Sequence, residues 1–153
     1  MSTLHKAQPT DLKLLQAFLI ENKLKPSVQI NASSIYYCAK HNEQIIGTIG
    51  AEINNTYALI RAAGIAPQWR KQGIAKKLFI KLYSDLEKKG ITHFYLFSRQ
   101  AAEFWKKMGF VQCTIQEVID VLPDAPQVKE FVADNSIWTD VAWHKPAKSN
   151  KAN

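Results

Sequence analysis

Between Tyr57 and Ser98 the hydrophobic pattern switches from strand to helix and back to strand. Few folds tolerate that switch. Tyr57–Ala66 (YALIRAAGIA) reads as a strand ended by Pro67. Over residues 72–89 apolar side chains recur at Ile74, Leu78, Leu82 and Leu86, while Lys76, Lys77, Lys81, Lys88 and Lys89 occupy other faces. This is the pattern of an amphipathic helix, and Gly90 supplies its C-terminal stop. His93–Ser98 (HFYLFS) then reads as a buried strand. A strand, a helical crossover and a second strand form a βαβ unit with parallel strands.

The flanking segments read as antiparallel. Thr3–Ala7 is a short first strand, and Thr10 is the expected N-cap of a helix to about Glu21 with Leu12, Leu14, Leu15, Phe18 and Leu19 expected on its apolar face. Residues 23–33, with Pro26, form a loop. Ser34–Lys40 and Ile45–Ile53 are β-rich and separated by the polar turn HNEQ, and Asn54-Asn55 turns the chain into Tyr57. Downstream come a short helix Gln100–Met108, a strand Phe110–Thr114, an irregular or partly helical connection, and a last strand Ser136–Trp143. Trp138 and Trp143 on that strand read as core or dimer-contact residues, which leaves both a monomer and a homodimer open. The sum is an α/β domain with a mixed, mostly antiparallel sheet of six to seven strands and helices on both faces. A length of 153 residues suits one domain, taken as 1–143, followed by a basic polar tail, 144–153.

Composition removes several function classes. Cys38 and Cys113 lie far apart, and His5, His41, His93 and His144 are scattered, so no metal site is expected. The N-terminus lacks a basic-then-apolar leader, and no apolar run approaches the ~18 residues of a membrane span; a cytoplasmic protein with no membrane partner is expected. The net charge of +7 invites a nucleic-acid reading. Lys145, Lys148 and Lys151 of the tail account for three of those charges, leaving +4, and the positive charge gathers at one turn and the tail. That distribution argues against a nucleic-acid stripe.

The turn in question is GIAPQWRKQGIAKKL, from Gly64 to Leu78. The first N–H groups of a helix lack internal partners and carry the positive end of its dipole. Gly73 and Ala75 leave those amides accessible, and Arg70, Lys71, Lys76 and Lys77 surround them. Such a bend can cradle a diphosphate; it can equally be a solvated, basic helix start.

Arg70-x-x-Gly73-x-Ala75 resembles the Q/R-x-x-G-x-G/A signature of the GCN5-related N-acetyltransferases (GNAT). About thirty residues on, Phe104-Trp105-Lys106-Lys107-Met108-Gly109-Phe110 resembles that family's second motif, and the resemblance spans roughly residues 2–114. It implies a GNAT fold whose central parallel strands splay apart, with acetyl-coenzyme A as co-substrate and no metal. Ala63, Gly64, Ile65 and Ala66 would then bond the pantetheine arm. Arg70, Lys71, Gln72, Gly73, Ile74, Ala75 and Lys76 would hold the diphosphate, with Ser98 and Trp105 also on the cofactor side. The Ile65 N–H would face the thioester oxygen. Leu96–Trp105 is further similar to arsenic-resistance-associated GNAT proteins and bacterial N-acetylglutamate synthases, which points to a small amino-acid-like amine as acceptor.

Where the family often places a proton-donating Tyr, this chain has Trp105. Tyr37, Tyr95 and Ser98 are the alternative donors, with solvent as a fourth route. Glu52 is the candidate general base, or else an exposed hairpin carboxylate or the partner of Arg61. By strand alternation residues 57, 59, 61 and 63 share a face, so Arg61 is expected to point inward, toward a structural carboxylate or a substrate carboxylate. A non-catalytic acyl-CoA-binding module and an acetyltransferase acting on protein amines are the competing readings.

Overall fold

The structure, a computed structural model, describes residues 2–148. Among them are seven strands: β1 Thr3–Lys6, β2 Ser34–His41, β3 Gln44–Asn54, β4 Tyr57–Ile65, β5 His93–Phe97, β6 Val111–Cys113 and β7 Ala142–Pro146. The helices are α1 Leu12–Glu21, α2 Ile74–Lys88, α3 Ala102–Lys107, α4 Ile115–Val121 and α5 Pro126–Ala133. The strands hydrogen-bond in the order β1-β2-β3-β4-β5-β7-β6. β4 and β5 are parallel, as the helical crossover requires, and β7 is antiparallel to both β5 and β6. No helix among the described residues is long and apolar enough to cross a membrane.

The chain clusters into two compact units, one holding the chain up to Ala51 and Arg61–Leu86, the other Glu52–Ile60 and the chain from Glu87 on. In the first unit, neighbouring side chains of β2 serve opposite faces. Tyr36 and Cys38 pack with Leu15, Phe18 and Leu19 of α1, whereas the Tyr37 hydroxyl donates to Asp85 of α2. Both faces are thus covered. In the second unit, Leu59, Tyr95 and Ala142 form one core with Val118 and Leu122 of α4 or its end, Val128 and Phe131 of α5, and Ile137.

Two local readings of the sequence need correction, and the partly helical reading of a third segment is sharpened. At the start of α1, Thr10 lies inside a 3₁₀ turn, Pro9–Asp11, and the cap is Asp11, whose carboxylate accepts the Gln8 N–H at 2.7 Å. The connection 115–134 is mostly helical: Thr114 caps α4 by accepting the Glu117 N–H at 3.1 Å, and Pro126 opens α5. Finally, Ser136–Thr139 is a 3₁₀ turn rather than strand. There Asp134 accepts the Ser136 N–H at 2.9 Å, Asp140 accepts the Val141 N–H at 2.8 Å, and Thr139 donates to the Ser136 carbonyl at 2.9 Å. Short polar side chains satisfy the backbone locally and displace a ladder. The last strand therefore begins at Ala142 and takes in His144 and Lys145; residues 149–153 of the expected tail lie outside the described residues. Trp143 is buried, with its indole N–H on the Ser98 carbonyl at 2.9 Å, while Trp138 is exposed.

Candidate active site

β4 carries an irregularity that simple alternation does not show. Its ladder with β5 runs from Tyr57↔His93 to Ile60↔Leu96, and two residues later Ala62 adopts a left-handed backbone, φ 54°. For a residue with a Cβ that conformation costs about 1–2 kcal/mol. The buried Thr48 hydroxyl holds it in place by donating to the Ala62 carbonyl at 2.7 Å. This is a β-bulge, and it shifts the phase of the strand by one. Arg61 and the even-numbered Ala62 and Ala66 consequently meet groups on the α1 side, and Leu24 lies over Gly64 from that side. Alternation does not carry Ala63 onto the face of Arg61.

After the bulge, Ala66 donates its N–H to the Ile46 carbonyl of β3 at 2.8 Å. Because successive residues of a strand point their peptide groups in opposite directions, the N–H and C=O of Ile65 are directed away from β3. The Ile65 carbonyl accepts the Arg70 Nε–H at 3.0 Å. A 3₁₀ turn, Pro67–Trp69, then leads into the bend, with Trp69 against His41 at 4.6 Å between ring centroids. Lys71 and Gly73 are left-handed, at φ 63° and 81°.

At the bend, the Lys77 N–H donates to the Gly73 carbonyl at 3.1 Å and opens the helical ladder of α2. The amides of Gly73, Ile74, Ala75 and Lys76 thus precede the intrahelical ladder. Ile74 is buried and anchors the turn, while Arg70, Lys71, Gln72, Gly73, Lys76 and Lys77 are exposed. A Cβ built on Gly73 meets no heavy atom within 4 Å. The bend is open at Gly73 and fringed with exposed cations, which fits a diphosphate.

The other residues singled out from the sequence have definite partners. Arg61, 4% exposed, donates from Nη1 to the Ser27 carbonyl at 2.9 Å and from Nη2 to the Lys25 carbonyl at 3.2 Å. Those partners are backbone oxygens of the α1–β2 loop. Glu52 is buried, not an exposed hairpin carboxylate, and accepts the Gln127 N–H in the first turn of α5 at 2.9 Å. Burial, followed by the hydrogen bond to Asp85, holds the Tyr37 phenol well above its ordinary range. Burial likewise pushes Tyr95 up to about 12. Ser98 accepts the Ala101 N–H at 3.2 Å at the entry to α3. Trp105 is buried edge-on against Phe104 and Phe110, at 4.9 and 5.4 Å. Burial also pushes the Cys38 and Cys113 thiols up to about 11. Thr48, Ala62 and Leu24 were not anticipated; the only hint was the run of small residues Ala62-Ala63-Gly64.

His93 and His144 share a hydrogen bond of 2.9 Å, and His144 stacks on Tyr95 at 4.7 Å. Burial, then the neighbouring His93, lowers the pKa of His144 below its ordinary 6.5, against a smaller upward pull from Glu117. Below pH 6.5 the unfolded chain therefore binds a proton that native His144 resists. This contribution to stability is fully present above pH 6.5 and is lost as pH falls toward the native value. Urea midpoints measured at pH 7.5 and 5.5 should fall on acidification, and the fall should shrink in His144→Gln.

A family model described as an acetyltransferase (GNAT) domain matches residues 32–112. A GNAT-family acetyltransferase from Staphylococcus aureus Mu50 has TM-score 0.75 at 16% identity, covering 97% of this chain and 100% of that one. The ribosomal-protein-S18-alanine N-acetyltransferase of Escherichia coli gives 0.71 at 15%, covering 96% and 94%. N-acetylglutamate synthase from Neisseria gonorrhoeae, complexed with coenzyme A and N-acetyl-glutamate, gives 0.72 at 14%, covering 96% of this chain but 35% of that one. No curated protein sequence matches the chain. The family match runs from just before β2 into β6 and so takes in every element that builds the bend; the chain belongs to the acetyltransferase (GNAT) family.

Proposed function

We propose that this chain transfers acetyl from acetyl-coenzyme A directly to a primary amine, and that the acceptor is a small amino-acid-like molecule. One observation carries the donor side: Gly73 is exposed, with no heavy atom beyond its chain neighbours within 4 Å of its Cβ position, at a helix start where the amides of Gly73 to Lys76 precede the intrahelical ladder. In this reading those amides, with Arg70, Lys71 and Lys76, hold the diphosphate. The backbone of 63–66 lies along the pantetheine arm, and the Ile65 N–H, directed away from β3, stabilises the oxyanion. The amine nitrogen attacks the thioester carbon, the C–N bond forms and the C–S bond breaks. Water takes the surplus amine proton and protonates the departing thiolate.

Water is the favoured donor for a physical reason. The amine gives up a proton as the C–N bond forms, and water can pass that proton on to the thiolate, so no side chain has to surrender one of its own; burial, which holds the Tyr95 phenol up at about 12, makes it a reluctant donor. Tyr37 is held higher still by burial and Asp85. Trp105 in place of a Tyr is therefore no obstacle.

Glu52, in this reading, is a cap for α5 rather than the general base, because its carboxylate is buried on the Gln127 amide. Glu52→Gln keeps an accepting oxygen. It should cost about 1 kcal/mol of stability through the lost charge at the helix start and leave kcat within about threefold. A hundredfold loss of kcat would restore the base assignment.

The acceptor class is supported by the likeness of Leu96–Trp105 to N-acetylglutamate synthases, one of which shares this fold. Another protein with the fold is named for a ribosomal-protein alanine, so both classes belong in the test. Thiol release from acetyl-CoA should be measured with amino acids, polyamines, aminoglycosides and peptides. Release with amino-acid-like amines is expected. Binding of acetyl-CoA with no release in any arm would instead indicate a non-catalytic module, and release with peptides alone a protein amine as acceptor.

A further inference from the structure

The loop between α1 and β2 is fastened with unusual thoroughness. α1 ends in a Schellman arrangement: the Lys23 N–H bonds to the Ile20 carbonyl at 3.1 Å, the Leu24 N–H to the Leu19 carbonyl at 2.8 Å, and Lys23 is left-handed at φ 61°. Beyond it the buried Arg61 grips the Lys25 and Ser27 carbonyls. Between them the Pro26 carbonyl accepts from the Val28 N–H at 2.8 Å and from the Gln16 side chain at 3.4 Å. Leu24 is the residue held between these two fastenings. Its Cδ1 occupies the space that a Cβ on residue 64 would need, with Cγ 3.6 Å from that point. The absent side chain at Gly64 is thus filled by the chain itself, by an apolar group that is not free to swing away.

This matters for the reaction proposed above, on which the following step rests. A donor with its diphosphate on Gly73–Lys76 and its arm along 66–63 places the thioester oxygen at the Ile65 N–H and the acyl carbons toward Gly64. The side chain they meet there is Leu24. We propose that Leu24 determines acyl size: it walls the donor site so that an acetyl group fits and a four-carbon acyl group does not. Arg61 is its positioning residue, acting through the carbonyls of 25 and 27. A wall fixed at both ends rejects by steric exclusion, whereas a mobile loop would yield to the longer chain.

The test needs no acceptor. Affinities for coenzyme A, acetyl-CoA, propionyl-CoA and butyryl-CoA are measured by calorimetry on the full chain, wild type and variants. Wild type should bind butyryl-CoA at least about tenfold more weakly than acetyl-CoA, the scale on which apolar pockets discriminate added methylenes. Leu24→Ala should bring that ratio within about threefold, and Leu24→Met, of similar volume, should retain it. Arg61→Met should relax the ratio as well, and coenzyme A itself should bind all variants equally. If Leu24→Ala does not fold, Leu24→Val is read in the same way. A wild type that does not discriminate, or a ratio unmoved by shortening Leu24, overturns the assignment while leaving acetyl-CoA as donor. A wild type that binds none of the four ligands overturns the donor reading, and this inference with it.

Discussion

Gly73→Glu should reduce acetyl-CoA affinity at least a hundredfold, which corresponds to about 2.7 kcal/mol, while the protein stays folded. The backbone at Gly73 is left-handed, φ 81°, so any side chain there costs about 1–2 kcal/mol of stability. That is a small part of the margin of a domain this size. No heavy atom lies within 4 Å of the Cβ position, so the substitution creates no clash. What it does create is a carboxylate in front of the amides that are to receive a diphosphate. The new anion repels the ligand, and it is itself a good partner for the helix start. Gly73→Ala separates the two effects: the same backbone cost, no charge, and a loss of only about three- to tenfold from the added methyl. Calorimetric titration with acetyl-CoA, with circular dichroism as the check on folding, decides the matter. Unchanged affinity in the Glu variant would remove the bend as the donor site.

Arg61→Met should be the most destabilising single change among the residues described. Two hydrogen bonds from a buried guanidinium are lost, each of a class worth about 1.5–3 kcal/mol. Part of the loss is recovered because the charge no longer has to be kept from water, and Lys25 and Ser27 are exposed enough for water to reach their carbonyls. A net loss of about 2–4 kcal/mol is expected, or roughly 10 °C in Tm. The local consequence is more diagnostic than the global one. With the grip on the loop gone, the peptide bond after Lys23 should become the preferred tryptic site, since Lys25 is protected by the following Pro26. Arg61→Lys, able to reach one carbonyl, should lie between the two. Wild-type Tm and an uncut loop in Arg61→Met would show that these contacts hold nothing.

The order of elements was legible because it rests on periodicity. Leucines every fourth residue from Ile74 to Leu86 and the apolar run at 93–98 leave little choice but a helical crossover between parallel strands. The bend was legible for a related reason, since glycine and lysines at a helix start have a direct electrostatic meaning. What could not be read depends on partners distant in sequence. Nothing near Arg61 indicates that its acceptors are carbonyls more than thirty residues earlier, and nothing near Glu52 points to the Gln127 amide. The bulge at Ala62 was invisible because its support is a Thr48 hydroxyl on the neighbouring strand. Thr114-Ile115-Gln116-Glu117 is a legible helix-start pattern, and α4 begins there. At 136–143 the alternation was real but misleading, because Asp134, Thr139 and Asp140 satisfy the backbone without a neighbouring strand.

The extra position at Ala62 has a consequence for how β4 should be compared and altered. Remove it, and every peptide group downstream reverses direction: Ala66 would turn outward, and Ile65 would spend its N–H on β3. In the reaction proposed above, the amide that meets the thioester oxygen is selected by parity, not by amino-acid type, since Ile65 would contribute only main-chain atoms to that role. Substitutions along this stretch leave the parity intact. A one-residue deletion would invert it even where every remaining side chain is conservative.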